Sequence, residues 1–180
     1  MINLNKQNIN GGIRMKKVLS LIIAILVILG CFSVAMAAEE TGDYYYMVSQ
    51  TDNNILFING TPIEFDPINS EVTPVKNEKG EIFVPVYMTV YCAGGYAHWE
   101  QETNSVFMIY NGETISFAIG SDEVKVGEET VKLSAATYAE NYRTLVPIDF
   151  FETCLKATAE VDEETGTILI AFNTKVYAAG

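Results

Sequence analysis

The sequence has very few of the residues on which most enzyme active sites depend. Its 180 residues include one histidine, His98, one tryptophan, Trp99, and three cysteines. Copper and zinc centres in proteins usually need several imidazole or thiolate ligands, which one histidine does not supply. A glycine-rich phosphate loop, an H-E-x-x-H motif and a C-x-x-C pair are all missing from the sequence. We therefore expect no catalytic residue, no bound cofactor and no metal site.

Positively charged residues are also scarce. The chain has 11 Lys and Arg residues against 23 Asp and Glu residues, and the segment 1–37 contains basic residues but no acidic ones. Without that segment the remaining 143 residues hold 23 acidic and 7 basic side chains, a net charge of −16. Binding to a phosphate backbone needs a cationic face. The sequence therefore predicts no nucleic-acid partner and a well-solvated acidic surface.

Only one long hydrophobic run occurs, between Val18 and Gly30. It follows Met15-Lys16-Lys17 and precedes the small-residue motif Ala35-Met36-Ala37, an order typical of a secretory signal peptide. The run is shorter than the ~20 apolar residues that a membrane-spanning helix needs, and no second run follows. We predict a signal peptide at residues 15–37 with cleavage after Ala37. The mature chain is expected to be secreted or cell-wall associated, with no membrane span.

Two further interpretations concern the same region. Ile28-Leu29-Gly30-Cys31 resembles a bacterial lipobox, in which Cys31 would carry a lipid and make the chain a lipoprotein. The stretch after Cys31 stays apolar, which favours cleavage at Ala37 instead. Residues 1–14 precede the natural start of the signal peptide. We interpret them as a mis-assigned leader, with translation beginning at Met15.

An internal repeat is the strongest sign of organisation in the sequence. Phe83-Val84-Pro85 aligns with Leu145-Val146-Pro147 at an offset of 62 residues, and the same offset places Cys92 on Cys154. The alignment predicts a domain at residues 54–172 that consists of two copies, 54–110 and 111–172. Residues 38–53 precede this domain as a leader or first strand, and residues 173–180 follow it as a tail.

Short β-prone runs and one short helix are indicated in each copy. Asn59-Gly60 and Asn111-Gly112 are strong hairpin signals between branched and aromatic residues. After Pro147, apolar residues recur at three- and four-residue spacing, which indicates a helix, and a matching pattern follows Pro85 and ends at Gly94-Gly95. The predicted fold class is α+β, with two tandem pseudo-repeats. Each repeat is expected to be a small antiparallel β-sheet carrying one short helix.

The chain contains, in order, a strand that ends in V-P, a short helix, a glycine and a strand that ends in W-E. The residues concerned are N-G-T-P-I-E-F, I-F-V-P, A-G-G-Y-A-H-W-E-Q-E-T-N-S-V-F-M-I, R-T-L-V-P and V-D-E-E-T-G-T-I-L-I, from about Asn54 to Phe172. This order resembles the copper amine oxidase N-terminal-like domain family, also called the stalk domain. The resemblance implies a secreted or surface-displayed α+β module with no chemistry of its own. Tyr87 and Asp149 stand where that family usually has an arginine.

The stretch from Val90 to Glu100 contains both His98 and Trp99. The repeat places Glu160 at the position of His98, so Cys92 recurs as Cys154 without a matching histidine, and a Cys-His catalytic pair is not expected. Side chains alternate along a strand, so we expect His98 on the solvent side and Trp99 in the core. If the Trp99 ring is exposed, it is suited to stacking on a sugar.

Two interpretations of the remaining cysteines stay open. Cys92 and Cys154 lie at equivalent positions of an exported chain, so they form one disulfide if the copies pack about a pseudo-twofold axis. Alternatively, they are two separately buried thiols, since cysteine is among the most buried residue types.

Two functions from different classes are compatible with these observations. The first is a non-catalytic structural or interaction module of the bacterial cell envelope, with a cell-wall or cell-surface protein as partner. The second is a module that binds cell-wall polysaccharide through exposed aromatic residues such as Trp99.

Overall fold

The computed structural model describes residues 44–173, which contain fourteen β-strands and two short α-helices. The predicted leader 1–14, the signal peptide with Ala37, the lipobox cysteine Cys31 and residues 174–180 of the predicted tail lie outside the described residues. All strand pairs are antiparallel, and the strands form three sheets. Among residues 44–173, no helix has the length and apolar character needed to cross a membrane. The fold class is α+β, as predicted.

The first sheet has five strands in the order β13-β14-β1-β2-β3. Its central strand, β1, pairs along its whole length with β14, so that Tyr44 lies opposite Asn173. The strands of this sheet are β1 (Tyr44–Gln50), β2 (Ile55–Ile58), β3 (Thr61–Glu64), β13 (Thr158–Asp162) and β14 (Thr167–Asn173).

The second sheet also has five strands, in the order β10-β9-β8-β7-β6. These strands are β6 (Tyr96–Glu100), β7 (Ser105–Tyr110), β8 (Glu113–Ala118), β9 (Glu123–Val126) and β10 (Glu129–Lys132). The third sheet has the order β11-β12-β5-β4. Its strands are β4 (Val75–Lys76), β5 (Ile82–Pro85), β11 (Tyr138–Glu140) and β12 (Arg143–Pro147).

Every sheet combines strands from the two predicted copies, so the expectation that each copy forms its own sheet is wrong. The first sheet joins the hairpin β2-β3 to the hairpin β13-β14 through β1, and the second joins β6-β7 to β9-β10 through β8. The physical reason is that an isolated two-stranded hairpin is only marginally stable, whereas a central strand bonded on both sides completes a five-stranded sheet. In the third sheet Val84 and Val146 lie side by side at the centre.

Hairpin turns occur where the sequence predicts them. Asn59 and Gly60 connect β2 to β3 with φ values of 46° and 86°, and Asn111 and Gly112 connect β7 to β8 with φ values of 51° and 78°. Two consecutive residues with positive φ match the right-handed twist of the strands they join, and Asn-Gly adopts that conformation with little strain.

The two helices each have seven residues and follow directly on a strand that ends in Val-Pro. They are α1 (Val86–Cys92) and α2 (Asp149–Leu155). After α1 the chain turns sharply, and a Cβ atom at Gly95 would lie 2.7 Å from Cγ1 of Val90. Glycine is therefore required at position 95 by the close approach of the following segment to the helix.

A single hydrophobic core contacts the inner faces of the sheets and both helices. Along β7 the side chains alternate strictly, with Val106 and Met108 buried and Phe107 and Ile109 exposed. Helix α2 contributes aromatic rings to the core, and the ring of Phe150 packs edge-on against Phe117 and Phe151. The fold thus buries one face of the second sheet and leaves the other face, with its edge strand β6, open to solvent.

Candidate binding site: an aromatic groove

A groove of about 490 Å³ opens between β6, the start of α1 and the turn that joins β11 to β12. Aromatic rings come from each of these three elements. The aromatic and basic residues that line the groove are Tyr87, Tyr96, His98, Trp99, Tyr142 and Arg143. A smaller cavity of about 230 Å³ adjoins it and shares Trp99, Tyr142 and Arg143 with it. We refer to the larger cavity as the aromatic groove.

The aromatic groove lies along the free edge of the second sheet. Within residues 44–173, strand β6 is the outermost strand of that sheet and pairs only with β7. Four consecutive residues of β6, from Tyr96 to Trp99, line the groove. Because successive side chains point to opposite faces of a sheet, a cavity that contacts consecutive residues borders the edge of the strand rather than one face. Unpaired backbone groups of β6 therefore face the groove.

Trp99 is 48% exposed, which contradicts the expectation that it lies in the core. Ala97 lies on the same face of β6 as Trp99 and is buried. The face of β6 that was expected to point into the core therefore does so at Ala97 but not at Trp99. Trp99 lies next to the β6–β7 turn at the margin of the core, and its Nε1 donates a long hydrogen bond of 3.4 Å to Oδ1 of Asn104 in that turn. The indole is thus held at one edge while the rest of the ring is open to the groove.

Tyr142 is 93% exposed and has a φ of 62°. It follows Asn141, with φ 50°, in the two-residue turn between Glu140 and Arg143. Glycine is the usual residue at the second position of such a turn, since a bulky side chain at positive φ is strained by about 1–2 kcal/mol. A tyrosine that is strained and almost fully exposed gains little from packing in return. Backbone strain of this kind clusters at binding sites.

The turn that carries Tyr142 is fixed from several directions. Asn141 donates a hydrogen bond of 2.9 Å to the Glu71 carbonyl, and Asn69 donates one of 3.1 Å to the Asn141 carbonyl. Arg143 donates to the Tyr142 carbonyl at 2.8 Å and forms an ion pair with the buried Asp66. These contacts fix the backbone of the turn and so the point from which the Tyr142 side chain projects, as a binding site that is formed in advance requires.

His98 is exposed on the solvent side of β6, as the alternation predicts. It lines the groove, whereas Cys92 does not. Within residues 44–173, no group of three or more His, Cys, Asp and Glu side chains is placed to hold a metal ion. The groove offers one imidazole nitrogen donor, that of His98, whereas copper sites generally use several nitrogen ligands.

Cys92 and Cys154 are free thiols in the structure. Burial raises the pKa of the Cys154 thiol to about 12, and burial also raises the pKa of Cys92. Burial and then the nearby Cys92 raise the pKa of Tyr45 on β1. A thiol with a raised pKa is protonated at neutral pH and reacts slowly. The disulfide between Cys92 and Cys154 stays a prediction that thiol counting can test.

The sequence did not single out Tyr87, Tyr142 or Arg143 as site residues. One local signal points to Tyr142. A tight two-residue turn after Asn favours glycine at its second position, and a bulky residue there destabilises the turn. Tyr87 is the second residue of α1 and Arg143 is the first residue of β12, and neither position carries a local signal for binding.

Comparison with protein families places these features in context. The model of the family described as the copper amine oxidase N-terminal domain matches residues 57–170. Comparisons with curated proteins and with solved structures gave no match. The family match covers more than half of the 180 residues and includes β6, both helices and the β11–β12 turn. On this match, and on the α+β fold that accompanies it, the chain belongs to the copper amine oxidase N-terminal domain family.

Proposed function

We propose that the chain is an exported, non-catalytic interaction module of the bacterial cell envelope that binds a cell-wall or cell-surface partner through the aromatic groove. The observation that carries the proposal is Tyr142, which is 93% exposed on a strained backbone and is fixed by Asn69, Glu71 and Asp66. A residue that costs stability and contributes no packing is best explained by contact with a partner.

Export is supported by the sequence of residues 15–37, which has the basic start, apolar centre and small-residue cleavage motif of a signal peptide. The non-catalytic role is supported by the composition of the groove. Among residues 44–173, the groove is lined by one imidazole, that of His98, and by no cysteine. A cysteine–histidine pairing of nucleophile and base is therefore not formed by these groove residues.

A comparison between the two halves of the fold supports binding as the role of the aromatic residues. We propose that the two halves are copies of one unit, and that each sheet contains strands from both copies. The pairing of β1 with β2 supports this, because it matches the pairing of β8 with β9. Met47 lies opposite Ile58, and at an offset of 68 residues Ile115 lies opposite Val126. At the matching positions of the other copy, Asp149 stands for Tyr87, Val161 for Trp99 and Gly80 for Tyr142. The fold therefore does not need aromatic side chains at these positions.

Polysaccharide binding is the second candidate function. It is favoured by the 48% exposure of Trp99, whose open ring is suited to stacking on the apolar face of a sugar. Tyr87 and Tyr91 on α1 add a second aromatic surface, since their rings are stacked 6.4 Å apart with an interplanar angle of 8°.

Retention on purified envelope material tests the proposed function. The full chain, exported and purified from a bacterial host, is mixed with intact cells, with protease-treated cell walls and with purified peptidoglycan. We expect retention on intact cells by the wild type and its loss in the double variant Trp99→Val, Tyr142→Gly, which places in the groove the residues found at the matching positions of the other copy. Equal retention of the two proteins, or none by the wild type, would overturn the proposed role of the groove. Retention that survives protease treatment favours polysaccharide as the partner.

A further inference from the structure

The free edge of β6 differs from the matching edge of the first sheet. Strand β13 is the counterpart of β6, and there the backbone N–H of Ala159 donates a hydrogen bond of 3.3 Å to Oε1 of Glu152 on α2. This N–H therefore points away from β14 and is capped by a side chain of the same molecule. An edge strand that is capped in this way is a poor site for pairing with another chain.

The matching N–H of β6 has no such cap. Ala97 lies opposite Met108 on β7, and Ala159 lies opposite Ile170 on β14. Because the two strand pairs have the same register, the Ala97 N–H points away from β7, as the Ala159 N–H points away from β14. It therefore points toward the groove. The residue that matches Glu152 is Val90, which is fully buried and cannot accept a hydrogen bond. Within residues 44–173, no side chain accepts a hydrogen bond from Ala97, which leaves its N–H available to a ligand.

The other edges of the sheets carry features that discourage pairing with another chain. Strand β3 contains Pro62, and β10 ends at Lys132, which pairs with Asp122. Strands β4 and β11 have only two and three residues. Proline, lysine and short length are the usual means by which proteins protect an edge. Strand β6, with five residues and neither proline nor lysine, has none of these features.

The opposite wall of the groove is also an incomplete strand. Within residues 44–173, Arg143 and Thr144 at the start of β12 pair only with β11, because pairing with β5 starts at Leu145 opposite Pro85. After Pro85 the chain enters α1, which contacts β12 but does not pair with it as a strand. The aromatic groove thus lies between the free edge of β6 and a part of β12 that has no paired strand on one side.

The charges near the groove favour a cationic ligand. Glu100 follows Trp99, Glu140 precedes the turn with Tyr142, and neither carboxylate takes part in an ion pair among residues 44–173. The charge of Arg143 is already balanced by Asp66. Residues 44–173 hold 20 acidic and 6 basic side chains, so the whole surface attracts positive charge. Exposed Trp and Tyr rings bind ammonium and guanidinium groups through their faces.

We propose that the groove binds an extended peptide segment of a partner protein, and that this segment pairs with β6 as an additional strand and places a lysine or arginine side chain between Trp99 and Tyr142. The inference rests on the proposed function and names its class of partner. The Ala97 N–H donates to a carbonyl of the peptide, which supplies affinity independent of sequence. The aromatic rings and the neighbouring carboxylates select for a basic side chain.

Titration with a synthetic peptide tests this inference. The probe is a short peptide, blocked at both ends, that alternates lysine with valine, and its binding to the full chain is followed by nuclear magnetic resonance of the backbone amides. We expect a shift of the Ala97 amide signal and slower exchange of its hydrogen when the peptide binds. A peptide with N-methyl groups on alternate amides, and one with glutamate in place of lysine, should both fail to bind.

Protein variants separate the groove from the rest of the surface. Trp99→Val and Tyr142→Gly should each weaken peptide binding about tenfold, as the loss of one cation–π contact implies. Tyr44→Thr, which removes an aromatic ring of β1 in the first sheet that does not line the groove, should bind as tightly as the wild type. Thermal unfolding confirms that each variant is folded. Equal binding of the N-methylated and normal peptides, or no change at Ala97, would overturn strand addition.

Two outcomes distinguish this inference from the proposed function. If a soluble peptidoglycan fragment binds the groove and the lysine peptide does not, strand addition is wrong while the envelope role stands. If the peptide binds as described but intact cells do not retain the chain, strand addition stands and the envelope role is wrong.

Discussion

Arg143 and Asp66 form an ion pair that connects the β11–β12 turn to the segment that follows β3. Asp66 is 5% exposed, and its other carboxylate oxygen accepts a hydrogen bond of 3.0 Å from the Ile68 N–H. The partner that balances this buried charge is the residue that also hydrogen-bonds the Tyr142 carbonyl. One side chain thus links the stability of the domain to the geometry of the aromatic groove.

Replacement of Arg143 by methionine should be strongly destabilising. The variant keeps a long side chain but leaves the Asp66 carboxylate buried without a counter-charge, which costs about 3–5 kcal/mol in comparable cases. Urea unfolding of the two proteins measures the difference. Lys132→Met is the matched control, because Lys132 pairs with Asp122 at an exposed site and such pairs contribute about 0–1 kcal/mol. Equal losses in the two variants would contradict the importance of the buried pair.

Tyr142→Gly should preserve or raise stability while it weakens binding. Glycine adopts positive φ without strain, which offsets its greater flexibility in the unfolded chain. We expect a change in the free energy of unfolding between about zero and 1 kcal/mol in the stabilising direction. Tyr142→Ala provides the control, because it removes the ring but keeps the strain. Both variants should lose groove binding. A glycine variant that is no more stable than the alanine variant would contradict the backbone strain, and two variants that are both clearly less stable than the wild type would show that the tyrosine ring supports the fold.

Gly95→Ala should destabilise the domain through overpacking. The new Cβ would meet Cγ1 of Val90 at 2.7 Å and the carbonyl oxygens of Ile109 and Val90 at 3.1 and 3.2 Å. Relief requires backbone movement between α1 and β6, at a cost of about 1–3 kcal/mol. Gly112→Ala adds a Cβ with nothing within 4 Å and tests only the strain of positive φ. Thermal unfolding should show a lower Tm for Gly95→Ala than for the wild type. Hydrogen exchange should be faster at the β6 amides in Gly95→Ala and unchanged there in Gly112→Ala, and equal exchange in the two variants would contradict the close approach at Gly95.

The stability of the domain should fall at alkaline pH because of Cys154. Burial raises the pKa of this thiol from 9.0 to about 12, so the folded state retains a proton that the unfolded state releases above pH 9. The contribution of Cys154 is therefore fully present below pH 9 and is lost as the pH rises toward 12. Denaturant unfolding at several pH values measures this slope. Cys154→Ala should reduce the slope that begins near pH 9, to which Cys92 also contributes, and an unchanged slope would contradict the assignment.

Thiol labelling decides between the two interpretations of the cysteines. We expect the unfolded, unreduced mature chain to react at two thiols, Cys92 and Cys154, as the free cysteines of the structure imply. In the folded protein the half-buried Cys92 should react before the buried Cys154. An unfolded chain without reactive thiols would instead establish the disulfide.

The parts of the fold that the sequence predicted are those with local causes. The turns at Asn59-Gly60 and Asn111-Gly112 and the helices after Pro85 and Pro147 depend on residues close in the chain. The combination of strands from both halves in one sheet has no such local cause. It depends on whether β1 and β8 join hairpins from different halves. No short-range pattern encodes that choice.

The sequence identifies Trp99 as a candidate site residue, but it favours the core as the place of its side chain, whereas the structure leaves that side chain exposed. Alternation along β6 correctly assigns Ala97 to the inner face, but it cannot show that the core ends before Trp99. The groove itself joins a strand, a helix start and a turn from distant parts of the chain, so Tyr87 and Tyr142 could be brought to Trp99 only by the tertiary fold.

The pairing of Tyr44 with Asn173 has a mechanical consequence. A pulling force applied at these two positions acts on neighbouring ends of antiparallel strands, so it breaks the hydrogen bonds between β1 and β14 one after another rather than all together. Such an arrangement resists tension poorly, and it releases the central strand of the first sheet before any other element. A domain attached at both of these points would unfold at low force. This geometry suits a module that binds a partner better than one that transmits force between its two attachment points.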